Sequence, residues 1–323
     1  MTEIRTKGAF SPNELLPRTG YPQPKTTAET LAEAGRREQI LRSIYVQNAN
    51  HLPVFKGLDL VLSLGVKGVF QTGVRCAAPS YAGKSASADQ FAKLVAGRGT
   101  FPNSMPVVRV ELEQACTSKR FWSSILMKYG DGFTAAKDET ALRRSTYDAF
   151  EQFGTKLLII DEVQHAGFRS SGSSAPTDVI KRFIQDAQVG VGLFGNEDAL
   201  SLLQSNNQLS HRLQDPCDIE PLRLTDAKDR KVFTRFVRNY DDALVTTGLF
   251  AKLAGLDDPR IVDCLMAISS GYLGRVVTLL QLAARRAHLR EAETIEICDL
   301  SQACSSWAVK QRLAPHDPFR FGL

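Results

Sequence analysis

Apolar and polar positions follow two rhythms along the chain. Between residues 69 and 224, short runs rich in β-branched residues alternate with amphipathic stretches. "VFQTGVRCAA" (69–78), "MPVVRVEL" (105–112), "KLLIID" (156–161), "VGVGLFGN" (189–196) and "CDIEPLRL" (217–224) predict five strands. Helices are predicted between them over 85–97, where Gly97 closes the pattern, and over 118–129, 139–153 and 176–188. The run Leu157–Ile160 is continuously apolar, the mark of a strand buried on both faces. Strands alternating with helices predict an α/β fold with a parallel sheet covered on both sides. From residue 225 the strand signals stop, and four helical patterns predict a small all-α lid over 225–312.

Upstream, Leu31, Ile40, Leu41, Ile44 and Tyr45 mark a helix over roughly 28–50. Residues 1–30 carry Pro12, Pro17, Pro22 and Pro24 and no period of either kind. They read as an extended arm that orders on a partner. The tail 313–323, "LAPHDPFRFGL", is expected outside the core. The α/β domain then spans 31–224.

Composition narrows the class. The 323 residues are 43% hydrophobic and 23% charged, an ordinary soluble balance. No apolar run reaches the roughly 18 residues of a membrane span, so no membrane association is expected. The first twenty residues lack an apolar signal core, so a cytoplasmic location is expected. Six cysteines stand singly, without C-x-x-C spacing, and read as thiols in a reducing compartment. The net charge of +5 permits a polyanionic partner, with basic pairs at Arg36-Arg37, Lys119-Arg120, Arg143-Arg144 and Arg285-Arg286.

The chemistry begins in "AAPSYAGKSAS" (77–87), which follows a strand and opens a helix. It is the phosphate-loop pattern with Ala78 where the first glycine normally stands. Gly83 lets the backbone approach closely, Lys84 would reach the β- and γ-phosphates, and Ser85 would place its hydroxyl on Mg²⁺. Alanine at position 78 is tolerated if its φ is negative. In "LLIIDE", Asp161 and Glu162 end a buried strand, where ligands bind in open α/β sheets. Asp161 would hold Mg²⁺ through water, and Glu162 would orient the attacking water. With "PVVRVEL" inserted between the loop and the acids, the pattern predicts the additional-strand, catalytic-glutamate type of P-loop ATPase.

Three further positions each have two uses. Asn196 would contact the γ-phosphate or the lytic water, or else cap the helix that follows it. Arg212 would act as an arginine finger on a neighbouring subunit's site, or lie on the surface. Arg275, in "GYLGR", would reach the γ-phosphate from the lid, or likewise serve only as a surface arginine.

Taken together, "GKS" (83–85), "IIDEVQH" (159–165), "GLFGN" (192–196), "QLSHRL" (208–213) and "GYLGRVVTLLQLAARRA" (271–287) resemble the AAA+ ATPases, and among them the TniB/TnsC transposition regulators. The resemblance implies ATP hydrolysis with Mg²⁺ and assembly of a homo-oligomeric ring or helical filament on duplex DNA, without sequence preference. It implies two further partners, a transposase and a target-selection protein. It also implies DNA contacts from "ACTSKRFW", where Thr117 or Ser118 would cap a helix and Thr117, Lys119 and Arg120 would meet the phosphate backbone. A capped, solvated surface helix is the other reading of that stretch. A replication initiator or helicase loader, or an ATP-binding scaffold with little turnover, would share the same core.

Overall fold

The computed structural model describes residues 9–17, 28–64, 73–97, 102–114, 116–130, 138–167, 176–186, 189–204, 211–223 and 225–323. The expectations for Pro22, Pro24, 69–72, 187–188, 208–210 and Leu224 lie outside these residues. The chain divides into two compact units, Asn50–Ile219 and Met1–Ala49 with Glu220–Leu323.

The first unit is built on four parallel strands: β1 (Gly73–Ala77), β2 (Val107–Glu111), β3 (Leu157–Asp161) and β4 (Gly190–Gly195), in the order β1-β4-β3-β2. Every residue of β3 and β4 is buried, as their unbroken apolar runs require. The strand standing between the phosphate-loop strand and the acidic strand is therefore β4. The sequence order pointed to β2, which instead forms the sheet's edge beside β3.

The fifth strand expected over 217–224 does not form as a regular strand among the described residues. Instead residues 213–219, which overlap its start, run along the open edge of β1. Gln214, Cys217 and Ile219 donate their N–H groups to the carbonyls of Gly73, Arg75 and Ala77 at 2.8, 2.9 and 3.2 Å. Three residues on one side answer two on the other, because Pro216 has no N–H and the segment bulges there. The Asp218 carboxylate then takes the Ala77 N–H at 2.7 Å, in place of a ladder bond.

One sheet face packs Val108, Val110, Leu158 and Ile160 against α4 (Ser118–Leu126), α5 (Glu139–Phe153) and α6 (Pro176–Gln185). Helix α3 (Lys84–Ala96) follows the phosphate loop. Helix α2 (Leu52–Leu64), which the apolar pattern did not suggest, packs against β1 and β4. Its approach depends on Gly190, where a Cβ would stand 2.8 Å from the Val61 carbonyl. Helix α7 (Glu197–Gln204) follows β4.

The second unit contains α1 (Ala28–Ser43) and the helices α8 (Ala227–Thr246), α9 (Pro259–Ser269), α10 (Leu273–Leu289), α11 (Ile297–Ala303) and α12 (Pro318–Phe321). Helix α1 is tied to α10 by a bidentate Arg285–Glu38 pair. The tail corrects the expectation that it lies outside the core, and part of the arm is ordered against it within this chain. Phe319 is fully buried, and Phe10 is buried beside it. Their rings stand 6.1 Å apart and the Phe10 N–H donates to the Phe319 carbonyl at 3.0 Å. Arg260 covers the Phe10 ring and pairs with Glu14, so residues 9–17 of the arm are part of this unit. Among the described residues no single helix is long and apolar enough to cross a membrane. All six cysteines are buried and unbridged.

Candidate nucleotide-binding site

Strand register brings the candidate residues together. Ala77 pairs with Gly195, and Ile160 pairs with Leu193, so β1, β3 and β4 end at nearly one level. The residues that leave those ends are Ala78, Glu162 and Asn196. This is the carboxyl edge of a parallel sheet, the position where such folds bind ligands.

The loop between β1 and α3 has the geometry of a phosphate cradle. Gly83 takes φ 104°, a left-handed turn that a side chain would strain, and it delivers the chain into α3. Tyr81 is also left-handed, at φ 62°. Ala78 is not among the residues with positive φ, which is why alanine fits the first-glycine position. It is buried, and its N–H donates to the Gly195 carbonyl at 3.1 Å, pinning the loop to β4.

Lys84 is 6% exposed. Its ammonium donates to the Ala78 carbonyl at 2.7 Å and the Pro79 carbonyl at 3.3 Å. Among the described residues no carboxylate ion-pairs with it. A buried cation at a helix N-terminus, facing only carbonyl dipoles, suits a polyanionic group.

Ser85 donates its hydroxyl to Asp161 Oδ2 at 2.6 Å. Asp161 is fully buried, and its Oδ1 accepts the Glu162 N–H at 3.0 Å. A hydroxyl and a carboxylate in contact form an oxygen donor set of the kind that holds Mg²⁺ beside phosphates. The two predicted metal residues therefore meet.

Glu162 is half-buried and left-handed, at φ 58°. A non-glycine residue held there stores about 1–3 kcal/mol of strain. Its carboxylate accepts from the side-chain amide of Gln164. The short helix Val163–Gly167 that follows is anchored by His165, whose Nδ1 lies 2.8 Å from the Leu112 carbonyl.

Asn196 is placed beside the pocket, but its side-chain carbonyl accepts the N–H groups of Asp198 and Ala199 at 3.0 and 3.3 Å. Here it caps α7, the second of its two uses. Arg212 does not join the site of its own chain. Its carbonyl accepts the Gly73 N–H at 3.1 Å, at the end of β1 opposite the phosphate loop. Arg275 belongs to the helical unit, where it lies over the Tyr272 ring at 4.7 Å and donates to the Ser269 carbonyl at 3.3 Å. Thr117 caps α4, accepting the Arg120 N–H at 3.2 Å, while Lys119 and Arg120 are exposed.

Sequence reasoning missed two residues. Gln164 bridges Glu162 to β4, since its carbonyl accepts the Asn196 N–H at 3.4 Å. Arg109 of β2 donates to Asp161 Oδ2 at 2.7 Å and to Asp89 of α3 at 2.7 Å. A lone arginine in the apolar strand "PVVRVEL" was the available signal.

The model of the family described as Bacterial TniB protein matches residues 72–219. That match covers a little under half of the chain. No curated protein matches the chain. Among solved structures, the Orc1 protein of Aeropyrum pernix in complex with DNA superposes with a TM-score of 0.59 at 16% identity, covering 84% of this chain and 69% of that one. Cdc6p of Pyrobaculum aerophilum gives 0.56 at 12%, covering 83% and 70%. The Aeropyrum pernix ORC2 protein, in ADPNP and ADP complexes, gives 0.53 at 14%, covering 91% and 71%. At these identities the likeness is one of fold: a parallel α/β sheet with its helices, and a helical unit beside it in the chain.

Proposed function

We propose that this TniB-type chain is an ATP-hydrolysing, DNA-bound regulator of transposition, which assembles as a homo-oligomer on duplex DNA and recruits or activates a transposase. The observation that carries the reading is the Ser85–Asp161 contact beneath the buried Lys84, inside the TniB-matched segment.

In this reading Lys84 and the N–H groups around Gly83 bind the β- and γ-phosphates of ATP. Ser85 and Asp161 hold Mg²⁺, which when bound supplies positive charge to the phosphate oxygens. Glu162 orients the water that attacks the γ-phosphorus and takes its proton, and ADP leaves. Arg212 serves a neighbouring subunit's site as an arginine finger. Arg275 serves from the helical unit. Thr117, Lys119 and Arg120 face the DNA backbone, whose recognition is independent of sequence. A target-selection protein directs the assembly, and hydrolysis releases it.

Electron microscopy of the protein with duplex DNA and ATP tests this. The expected outcome is rings or filaments on DNA that need ATP, disappear with Lys84→Ala and persist longer with Glu162→Gln. Glu162→Gln should also slow hydrolysis by roughly a hundredfold, the scale of losing a general base. Nucleotide-dependent binding without assembly would favour a scaffold. Assembly confined to specific origin-like sequences would favour a replication initiator.

A further inference from the structure

We infer that Arg109 is a resident cation of the nucleotide site, standing in for the metal's charge on Asp161. The inference rests on the nucleotide-site reading above and adds a positioning residue to it.

Strand register places Arg109 of β2 opposite Ile159, and Glu111 opposite Asp161. Paired residues of a parallel sheet share a face, so Arg109 and Asp161 lie on the same side, one pleat apart. The guanidinium crosses that step. It meets Asp161 Oδ2, the same oxygen that accepts the Ser85 hydroxyl, at 2.7 Å, and its Nε meets Asp89 on α3. Arg109 is 23% exposed at its side chain and Asp161 only 1%. An ionised carboxylate that deeply buried is stabilised by a counter-charge. Bound Mg²⁺ would supply one, and without metal Arg109 does. Arg109 therefore lets the site accept a nucleotide free of Mg²⁺, because Asp161 is already neutralised before phosphates arrive. It also competes with divalent ions for Asp161.

A purely structural arginine, clamping β2 to α3 through Asp89, would do neither. Binding of a fluorescent ATP analogue, with Mg²⁺ and with EDTA, separates the two. Arg109→Met should weaken metal-free binding by about tenfold and leave Mg²⁺-supported binding equal or tighter, the effect of one missing counter-charge at a partly buried site. Its nucleotide-free melting temperature should also rise on adding Mg²⁺ alone, which the wild type should not show. Arg109→Lys should restore part of the metal-free binding. If Arg109→Met does not fold, Asp89→Asn tests the same idea with the opposite sign: a guanidinium released from Asp89 pairs more fully with Asp161, and a higher Mg²⁺ concentration is needed to displace it.

Unchanged Mg²⁺ dependence in these variants, with wild type binding and Lys84→Ala not binding, overturns the role of Arg109 alone. A wild type that binds no nucleotide overturns the site reading and Arg109's role with it.

Discussion

Gln164 ties Glu162 to Asn196: its side-chain amide donates to the Glu162 carboxylate, and its carbonyl accepts the Asn196 N–H at 3.4 Å. The acid is thus held from a residue two positions on, with β4 as the anchor. Because Glu162 also sits at φ 58°, its direction depends on that tether. Gln164→Ala should lower the ATP turnover rate about tenfold, within the range expected from misplacing a reacting group. ATP affinity should stay within about twofold, since the hydrogen bonds of the Gln164 side chain go to Glu162 and Asn196 and not to the phosphate loop. Separate measurement of nucleotide affinity and single-turnover rate checks the split. A matching loss in both would mean that Gln164 supports the whole site and not Glu162 alone.

Ala78 gives a second test. Its methyl stands where phosphate loops usually carry glycine, yet its φ is not positive and its N–H is bonded to Gly195. Ala78→Gly should therefore not rescue anything. Added backbone freedom costs about 0.5–1 kcal/mol in ordered segments, so ATP affinity should fall by up to about fivefold. Isothermal titration would show it. A gain in affinity would mean that the methyl obstructs the phosphates.

The tail makes a stability prediction. Phe319 is fully buried in the helical unit, and Phe321, two residues on, is 58% exposed. Asp317 caps the short helix that carries both, accepting the Phe319 N–H at 3.0 Å. Phe319→Ala should cost about 3–5 kcal/mol, the usual range for a buried phenylalanine, and Phe321→Ala much less than that. Denaturant melts of both variants would check the contrast. Equal, small effects would mean that Phe319 contributes no more to the core than exposed Phe321.

What could be read in advance divides along physical lines. Lys84, Ser85, Asp161 and Glu162 were readable because each sits at a fixed offset from a strand end, and the sheet does the rest. Thr117 was readable as a cap because capping is local. Arg109 and Gln164 were not, since their contacts depend on the register of β2 against β3 and on the turn after β3. Helix α2 was hidden, although Lys56, Asp59 and Ser63 recur at helical spacing opposite Val54, Leu58 and Val61, because exposed Leu52 and Leu60 blur the polar face. The fifth strand was drawn too late in the chain, since Pro216 breaks the ladder where pairing with β1 actually runs. Phe10 and Phe319 meet across almost the whole chain, and no pattern within either terminus announces it.

The exposed basic residues make the last prediction. In the helix pair α4 and α5, Trp122 stacks edge-on to Tyr147 at 5.8 Å, and Tyr129, just past α4, meets Phe150 and Phe153 at 6.3 and 4.9 Å. The two helices therefore run in the same direction. One turn before Trp122 stand Lys119 and Arg120, and one turn before Tyr147 stand Arg143 and Arg144. All four are exposed, and with the helices running together the two basic pairs are expected to form one patch. Two of the four lie on the first turn of α4, where the helix dipole disfavours cations unless an anion is near. Among the described residues the one ion pair there, Arg120–Glu113 at 3.3 Å between well-exposed groups, offsets little of that. If this patch grips a DNA backbone, replacing Lys119 and Arg120 with alanine should weaken binding equally for all sequences. The slope of log affinity against log salt should become shallower by about 0.9 for each phosphate that the variant no longer neutralises. Replacing Arg143 and Arg144 should act the same way, because they share the patch. Lys128→Ala, beyond the other end of α4, should leave the slope unchanged. Filter binding at several salt concentrations with a non-hydrolysable ATP analogue would decide. Wild-type slopes in both double variants would mean that these helices face solvent, and that any DNA contact lies elsewhere on the chain.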